Sequence, residues 1–477
     1  MFKFSNLISL SVVTVLLSGG YTVAQTLPES INPETTVLPS PNPLLFPTDS
    51  TEVTVEEVTP ITLEEALEIG LRNNKALQTA RQELERTQAE LRAATSAFFP
   101  TIDFNSQVDY TNSAAAKLSD QRFPLNQIAI ETGNVSGTIE LNYDIFDGGN
   151  RGATVRRERI RLNSSQLNVE TVLEETRFNI IQNYYDLQNA DAQVAIAQAA
   201  VEDASQSLRD AQLREQAGLG TRFDVLQAEV DLANASQNLT RAIANQRIAR
   251  RQLAQTLSLA QTAELAAADE IQQLGEWEYT LEETIVLAFK NRAELERFLL
   301  EREIATANRQ IALAEMYPTI SFFTNYNFLD DQLGDGISVK DGYAVGGRVR
   351  WRLFDGGRAI ARARAADRDV EIAETRFAQQ RDQIRFQVES AYYDLISNQD
   401  NIGTAQTAVV TAEERLRLAR LRFQAGVGTQ TEVIDAQRDL TEARGNLLQA
   451  VIGYNQSLNS LERAVSNLPD SLLFEVP

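Results

Sequence analysis

The chain has 477 residues, of which 43% are hydrophobic and 23% are charged, a composition typical of a folded protein rather than a disordered one. It contains neither cysteine nor histidine, which excludes disulfide bonds, thiolate or imidazole metal sites and histidine-dependent catalysis, so we expect no cofactor and no enzymatic activity. A net charge of −22 argues against nucleic acid as a partner, because binding to phosphates requires a positive surface.

The first residues have the pattern of a secretory signal peptide. Lys3 precedes an apolar run from Leu7 to Leu17, and small residues at 22–24 precede Gln25. We therefore predict a signal peptide over 1–24 and a mature protein that leaves the cytoplasm. Seven of the twelve prolines fall before residue 61, so the segment 25–60 is predicted to be an extended, largely disordered linker.

The rest of the chain is an internal duplication. Thr-Leu-Glu-Glu occurs at 62 and again 218 residues later, at 280. Three motifs recur at a spacing of 208 residues: Phe-Asp-Gly-Gly at 146 and 354, Tyr-Tyr-Asp-Leu at 184 and 392, and Gln-Ala-Gly at 216 and 424. The domains predicted from this spacing are a first repeat over 61–258, a connection over 259–279, a second repeat over 280–466 and a C-terminal tail over 467–477.

Each repeat is predicted to contain a helix, two strands, a very long helix, a tight turn and a shorter helix. The first helix, over about 63–98, opens with a capping box from Thr62 to Glu65. The long helix, over about 151–215, contains no proline and at 1.5 Å per residue is roughly 100 Å long. The last helix is predicted over about 221–257. Two shorter helices laid end to end match the long one, which predicts a cylinder of helices with the strands at one end and the turns at the other.

The predicted strands alternate between apolar and polar side chains. The apolar side chains of the first strand are Ile102, Phe104, Val108 and Tyr110. Alternation alone fits an ordinary sheet packed on a helix as well as a sheet that faces lipid. The length of the helices favours lipid, because a rod of about 100 Å does not pack beneath a hairpin.

Four amphipathic strands are too few to close a membrane barrel, which needs at least about eight. Oligomerisation is therefore expected from the number of strands. Two copies would give a barrel filled by its side chains and three would give one with a lumen, and the polar inward face favours the wider barrel.

Taken together, these motifs resemble those of the TolC family of outer-membrane efflux proteins, the outer membrane factors. The resemblance covers residues 62–461 and depends on the duplication, the Phe-Asp-Gly-Gly strand exits, and the turns Gln-Ala-Gly-Leu-Gly-Thr and Gln-Ala-Gly-Val-Gly-Thr. It implies a fold that is mainly α with membrane β. In that fold a homotrimer forms a 12-stranded β-barrel in outer-membrane lipid, continued by a long α-helical coiled-coil tunnel in the periplasm. It further implies a periplasmic adaptor (membrane fusion) protein and an inner-membrane ABC or RND-type transporter as partners.

The resemblance also assigns a docking role to the two turns, where adaptor hairpins would contact exposed apolar residues. Glycines that reverse the chain and a threonine that caps the next helix would occur in any helical turn, so the sequence leaves both interpretations open. The residues concerned are Gly218, Leu219, Gly220, Gly426, Val427 and Gly428.

In the family's pattern, acidic residues ring the periplasmic entrance, and the corresponding positions here are Glu432 and Asp435. Thr429 and Glu432 have the spacing of a capping box, so Glu432 is alternatively a cap. Family members with a closed entrance carry a tyrosine and an arginine where this chain has Phe423 and Gly428, so the entrance must be held closed in another way. Arg222 and Asp224, at the first turn, are candidates for a substitute lock.

The predicted function is a passive outer-membrane export duct of a tripartite efflux pump or a type I secretion system. It would carry small toxic compounds or secreted proteins across the periplasm and outer membrane. The alternative is a trimeric coiled-coil stalk or adhesin anchored in the outer membrane. Each repeat interrupts its helices with strands, whereas adhesins generally place a long helical part after a single C-terminal anchor, and this favours the duct.

Overall fold

The computed structural model of the chain describes residues 58–112, 131–260, 262–330 and 339–466, together with 44, 46–53, 114 and 117–118. The predicted signal peptide over 1–24, the predicted tail beyond residue 466 and most of the predicted linker over 25–60 lie outside the described residues. The described residues belong to one compact unit, Pro39–Pro477.

Helices and strands follow one another in the same order in the two halves of the chain. The first half contains β1 (Val58–Ile61), α1 (Leu63–Asn73), α2 (Lys75–Ser96), β2 (Thr101–Asn112), β3 (Glu131–Phe146), α3 (Asn150–Gln216) and α4 (Arg222–Thr256). The second contains β4 (Glu264–Ala267), α5 (Leu281–Asn291), α6 (Ala293–Ala314), β5 (Thr319–Asp330), β6 (Lys340–Arg350), α7 (Arg358–Gln424) and α8 (Gln430–Val465). A 3-10 turn over Ser50–Val53 precedes them.

The prediction of very long helices is confirmed. α3 and α7 each run for 67 residues, which at 1.5 Å per residue is about 100 Å. Within the described ranges, no helix has both the length and the apolarity needed to cross a membrane.

The helix predicted over 63–98 is in fact two helices. Asn74 ends α1 with a ψ of 126° and begins α2, because its side chain accepts a hydrogen bond from the backbone N–H of Leu77 at 3.1 Å. Arg292 separates α5 from α6 at the equivalent position, with a ψ of 109°, but its side chain makes no capping hydrogen bond. At Asn74, by contrast, a polar side chain that caps its own neighbours stops the helix without a glycine or a proline.

Residues 58–60, at the end of the predicted linker, form part of strand β1. β1 pairs in parallel with β4, which comes from the predicted connection over 259–279. Asp269, just after β4, holds this pair against the helices: its carboxylate accepts from the Leu63 N–H at 2.7 Å and lies 2.6 Å from the Tyr184 hydroxyl. Since β1 is an outer strand, it tolerates proline, which has no N–H to donate.

The other strands form an antiparallel sheet in the order β2, β3, β5, β6. Its register places apolar residues side by side on one face, where Phe104 lies opposite Ile139 and Ile139 lies opposite Tyr326. On the other face Asp103 lies opposite Glu140. The predicted alternation is therefore confirmed. Among the described residues, β2 and β6 are the outer strands, each with a neighbour on one side only.

The helices lie side by side, and the two long ones take part along their whole length. Toward the sheet the order is α2, α3, α6, α7; toward the turns it is α4, α3, α8, α7. Arg297 of α6 donates to Asn168 of α3 at 2.9 Å, and Gln437 of α8 donates to Ser207 of α3 at 2.8 Å. The first repeat therefore meets the second along both halves of α3.

A buried charge cluster joins α3, α6 and α8 near the middle of the molecule. The Glu294 carboxylate accepts from Arg292 at 3.0 Å and from Arg463 at 2.6 Å. Burial favours its protonated form, but the two guanidiniums outweigh burial and hold the pKa of Glu294 below its ordinary value. Glu174 is also buried, and one of its oxygens has no hydrogen-bond partner. There burial dominates, so the pKa of Glu174 is raised.

We predict that neutralising these two carboxylates has opposite effects on stability at pH 7. Glu174→Gln should stabilise the protein, because a raised pKa means that folding disfavours the ionised form. Glu294→Gln should destabilise it, because two arginines lose their shared partner. The measurement is the midpoint of thermal unfolding, followed by circular dichroism.

The pH dependence provides the control. The gain from Glu174→Gln should vanish as the pH falls below about 4.5, the ordinary value, since the wild-type carboxyl is then neutral in both states. The loss from Glu294→Gln should shrink as the pH falls through the lowered pKa of Glu294. Shifts of the same sign in both variants at pH 7 would contradict this account of the cluster.

Candidate functional site

The candidate site consists of the two tips, which we define as residues 214–224, between α3 and α4, and 422–435, between α7 and α8. Each tip lies at the end of a long helix opposite the sheet. Gly218 and Gly426 have positive φ angles of 71° and 75°, which allow the chain to reverse without strain. Thr221 and Thr429 then cap the next helices through their side-chain oxygens.

The two apolar residues predicted to dock a partner lie at the apex of the tips. Leu219 is 71% exposed and Val427 is 70% exposed. The glycines on either side of them keep the turns short: a Cβ on Gly220 would lie 3.1 Å from that of Arg214, and one on Gly428 would lie 3.0 Å from the backbone nitrogen of Phe423. Leu219 and Val427 therefore lie exposed at the apex of each turn, and Phe223 of the first tip is a further exposed apolar side chain, at 70%.

Arg214, which the sequence analysis missed, connects the two tips. Its guanidinium donates to the carbonyl oxygen of Phe423 at 2.7 Å and to that of Leu219 at 3.3 Å, and it lies over the Phe423 ring at 4.5 Å. One side chain thus contacts both turns. The duplication contained a signal for this residue, because an arginine also occupies the equivalent position of the second repeat, Arg422.

Arg422 has a different role from its equivalent. It lies 3.7 Å from the carboxylate of Glu432, within the second tip. The backbone N–H of Glu432 donates to Thr429, so the amide of Glu432 takes part in a helix cap while its carboxylate faces an arginine. Asp435 accepts a hydrogen bond from Arg438 at 2.9 Å. Each residue of the predicted acidic ring is therefore accompanied by one positive charge of its own chain.

The two residues of the predicted lock are not brought together. Asp224 completes a capping box with Thr221, accepting from the Thr221 N–H at 3.0 Å. Arg222 lies 3.8 Å from Glu215 on the same turn. Its equivalent in the second tip, Gln430, is buried, and its amide has no hydrogen-bond partner.

Phe423, which stands at the position of the family's tyrosine, belongs to the apolar core between α7 and α8. Its ring and its carbonyl are both contacted by Arg214. The contact between the tips is thus made by an arginine of the first repeat and a phenylalanine of the second. No group of three or more acidic residues that could hold a metal ion occurs in the part of the chain that the structure describes.

Comparison with known proteins places this architecture in a family. A model described as "Outer membrane efflux protein" matches residues 66–258 and 284–467, which is more than half of the chain. The chain belongs to the outer membrane efflux protein family. The two matched ranges fall in the two halves of the duplicated chain.

Individual proteins show the same likeness. The outer membrane efflux protein BepC of Brucella suis is 23% identical over 397 residues, covering 82% of each chain. Protein CyaE of Bordetella pertussis is 24% identical over 393 residues, covering 80% of this chain and 79% of its own. The crystal structure of the CmeC outer membrane channel of Campylobacter jejuni superposes with a TM-score of 0.75 at 17% identity, covering 84% of this chain and 85% of that one.

These matches confirm the predicted family, fold, outer-membrane location and role in efflux. The alternative of a coiled-coil stalk or adhesin is not favoured by them. The docking, ring and lock roles of individual tip residues stay predictions.

We predict that Arg214 fixes the distance between the tips. Because the chain has no cysteine, Leu219→Cys and Val427→Cys provide two attachment sites for spin labels. Double electron–electron resonance then measures the distance between the labels, in samples where labelled chains are diluted with unlabelled ones. Arg214→Gln should broaden the distance distribution, because a single amide lacks the fork that reaches both turns. Arg222→Gln is the matched control and should leave the distribution unchanged, since the ion pair of Arg222 lies within one tip. An unchanged distribution for Arg214→Gln would show that the tips are held by other contacts.

Proposed function

We propose that three copies of this chain form a passive conduit that spans the outer membrane and extends through the periplasm. The observation that carries the proposal is the sheet, which has one exposed apolar face and two outer strands without a second neighbour among the described residues. An apolar face is suited to lipid, but unpaired strand edges are not, because lipid offers no hydrogen-bond partners. Three copies give twelve strands, enough to close the sheet around a lumen.

In this proposal the tips are the docking site for a periplasmic adaptor. The exposed Leu219 and Val427 supply the apolar contacts, and Arg214 sets the spacing between them. The adaptor connects the conduit to an inner-membrane transporter of the ABC or RND type, which supplies the energy. The cargo is small toxic compounds or secreted proteins.

Asp435 and Glu432 contribute to an acidic ring at the periplasmic entrance. Arg438 lies 2.9 Å from Asp435 and Arg422 lies 3.7 Å from Glu432. The net charge of the ring therefore depends on these two arginines as well. Three copies would bring these groups together, and a narrow mouth with net negative charge favours cations.

The docking proposal predicts that Leu219→Asp combined with Val427→Asp abolishes export while trimers still reach the outer membrane, because charged groups replace the apolar contacts. Export is measured as ethidium accumulation in cells that lack the wild-type chain and express the variant. Leu299→Asp combined with Val286→Asp is the control, since these side chains are also exposed and apolar but lie on α6 and α5, far from the tips. Normal export by the tip variant would refute the docking assignment.

The ring proposal predicts opposite effects of two neighbouring substitutions on block by trivalent cations in single-channel recordings. Asp435→Asn should weaken the block, because three negative charges are removed from the mouth. Arg438→Gln should strengthen it, because the counter-charges 2.9 Å from Asp435 are removed. If neither variant changes the block, Asp435 does not line the entrance, whatever the conductance of the pore.

A further inference from the structure

The polar face of the sheet carries opposite charge in the two repeats. Glu140 and Asp144 of β3 have as their equivalents, 208 residues later, Arg348 and Arg352. Arg350 lies between these two arginines along the chain, and like Arg348 it is a residue of β6 on the polar face. We call Arg348, Arg350 and Arg352 the basic stripe. Since the first repeat has carboxylates at two of these three positions, the stripe is a feature of the second repeat alone.

The basic stripe has no neutralising partners of its own chain. Within the described ranges, none of its three arginines takes part in an ion pair within 4.0 Å, whereas the nearby Glu315 is shared by Arg358 at 2.9 Å and Arg362 at 2.5 Å. Arg350 and Arg352 are exposed. An arginine in this position keeps its positive charge and has N–H donors left to offer to a ligand.

An aromatic ring lies on the same face as the basic stripe. Phe323 of β5 is opposite Gly346 of β6, and a Cβ on Gly346 would lie 2.8 Å from the Phe323 ring, so the glycine leaves room for that ring. The guanidinium of Arg348 lies 5.0 Å from the centre of the ring. The equivalent of Phe323 in the first repeat, 218 residues earlier, is Asn105. The second repeat therefore combines positive charge with an aromatic surface.

A cavity of about 620 Å³ opens where the sheet meets the helices. It lies on the polar face, because Thr101 and Asn142, which are opposite each other on that face, line it. Arg350 and Arg352 of the basic stripe line it as well. Sites for small molecules typically have volumes of roughly 300 to 1,000 Å³. The cavity is therefore large enough for a small organic molecule.

Positive charge exceeds negative charge around this cavity. Four arginines line it against three carboxylates. Asp147 lies 3.1 Å from Arg151 and Glu315 lies 2.9 Å from Arg358, so two of the three carboxylates are already paired. The third is Asp144, which leaves the two arginines of the basic stripe facing a single carboxylate. The cavity is consequently suited to an anion.

The cavity also offers two aromatic side chains to a ligand. Phe99 and Tyr317 line it and are 67% and 57% exposed. Each precedes a strand of the sheet, β2 and β5 respectively, by two residues. Exposed rings beside arginines are suited to a ligand that has a flat apolar body and a charged group.

We propose that this cavity binds aromatic organic anions on the lumen side of the conduit. Arg350 and Arg352 hold the carboxylate or sulfonate group through charge-assisted hydrogen bonds, and Phe99 and Tyr317 lie against the ring. Arg348 extends the positive surface from the cavity along the sheet. The proposal rests on the proposed conduit, which places the polar face of the sheet toward the lumen, and it adds a chemical class of cargo.

The acidic residues of the tips do not cancel this preference. The cavity and the tips lie at opposite ends of the long helices, about 100 Å apart. At physiological ionic strength salt screens exposed charges beyond about 8 Å. The two ends therefore attract ions of opposite sign independently, and an aromatic anion is held by contacts in the cavity although the chain has a net charge of −22.

Fluorine NMR tests the arginines with 4-fluorobenzenesulfonate as the probe. The protein is placed in phosphatidylcholine nanodiscs, which have no net charge, and broadening of the fluorine resonance is followed during a titration against empty nanodiscs. Arg350→Gln combined with Arg352→Gln should weaken binding at least about tenfold, because charge-assisted hydrogen bonds are lost. Arg302→Gln combined with Arg376→Gln is the matched control and should leave binding unchanged, since these exposed arginines of α6 and α7 do not line the cavity.

The two aromatic side chains are tested by the choice of ligand. Trifluoromethanesulfonate has the same anionic group without the ring. Phe99→Ser combined with Tyr317→Ser should weaken binding of 4-fluorobenzenesulfonate several-fold and leave binding of trifluoromethanesulfonate unchanged, because only the first ligand has a ring to contact. Both side chains are exposed, so these substitutions remove little of the core and keep the site testable if the arginine variant does not fold.

A cation with the same ring provides the test of charge. If 4-fluorobenzylammonium binds as well as 4-fluorobenzenesulfonate, the cavity does not select anions and the proposal is overturned. If trimers form, as measured by light scattering, but the Arg350 and Arg352 variant binds the probe as the unchanged protein does, the anion site is overturned while the conduit stands. If the chain stays monomeric, the conduit fails, and selective loss of binding in that variant still supports the anion site, because the residues that line the cavity belong to one chain.

Discussion

The requirement that every backbone N–H and C=O group in lipid has a hydrogen-bond partner constrains this molecule more than any other. Within the described ranges, the sheet has an apolar face that water disfavours and two outer strands whose unpaired backbone groups lipid disfavours. Further copies of the sheet remove both problems. Each added copy supplies backbone hydrogen-bond partners to one outer strand and extends the apolar surface that faces lipid. The proposed trimer follows from this constraint.

The two long helices connect the sheet to the tips. α3 and α7 leave the sheet and continue for about 100 Å to the tips, so the sheet and the proposed docking site belong to the same two helices. The shorter helices lie end to end on either side of α3, with α2 and α4 on one side and α6 and α8 on the other. The buried cluster of Glu294, Arg292 and Arg463 lies where the shorter helices of the second repeat meet, and Arg463 also lies 3.5 Å from Glu175 of the first repeat, which joins the two repeats there.

The sequence predicted those parts of the structure that repeat. The spacing of the motifs revealed the duplication, the absence of proline predicted the long helices, and the alternation in β2 predicted one apolar face. It did not predict the break at Asn74, because the sequence alone does not distinguish an asparagine that caps a helix from one that faces solvent within a helix. Nor did it predict β1, which depends on contacts with β4 and Asp269, about 200 residues away.

At the tips, the sequence indicated the turns but not the contacts between them. Gly218 and Gly426 are recognisable because only glycine readily adopts their backbone angles. Arg214 and Arg422 are equivalent in the sequence, yet one contacts both tips and the other lies near Glu432 within its own tip. That difference arises from which helix packs next to each arginine, and no local pattern records it.

The central claim is that three copies of this chain close one conduit. Electron cryo-microscopy of the mature protein in lipid nanodiscs tests it most directly. The account predicts a particle with threefold symmetry, in which β6 of each copy pairs with β2 of the next and the helices continue the same ring below the membrane. A different number of copies, or sheets whose outer strands stay unpaired in the lipid, would contradict it.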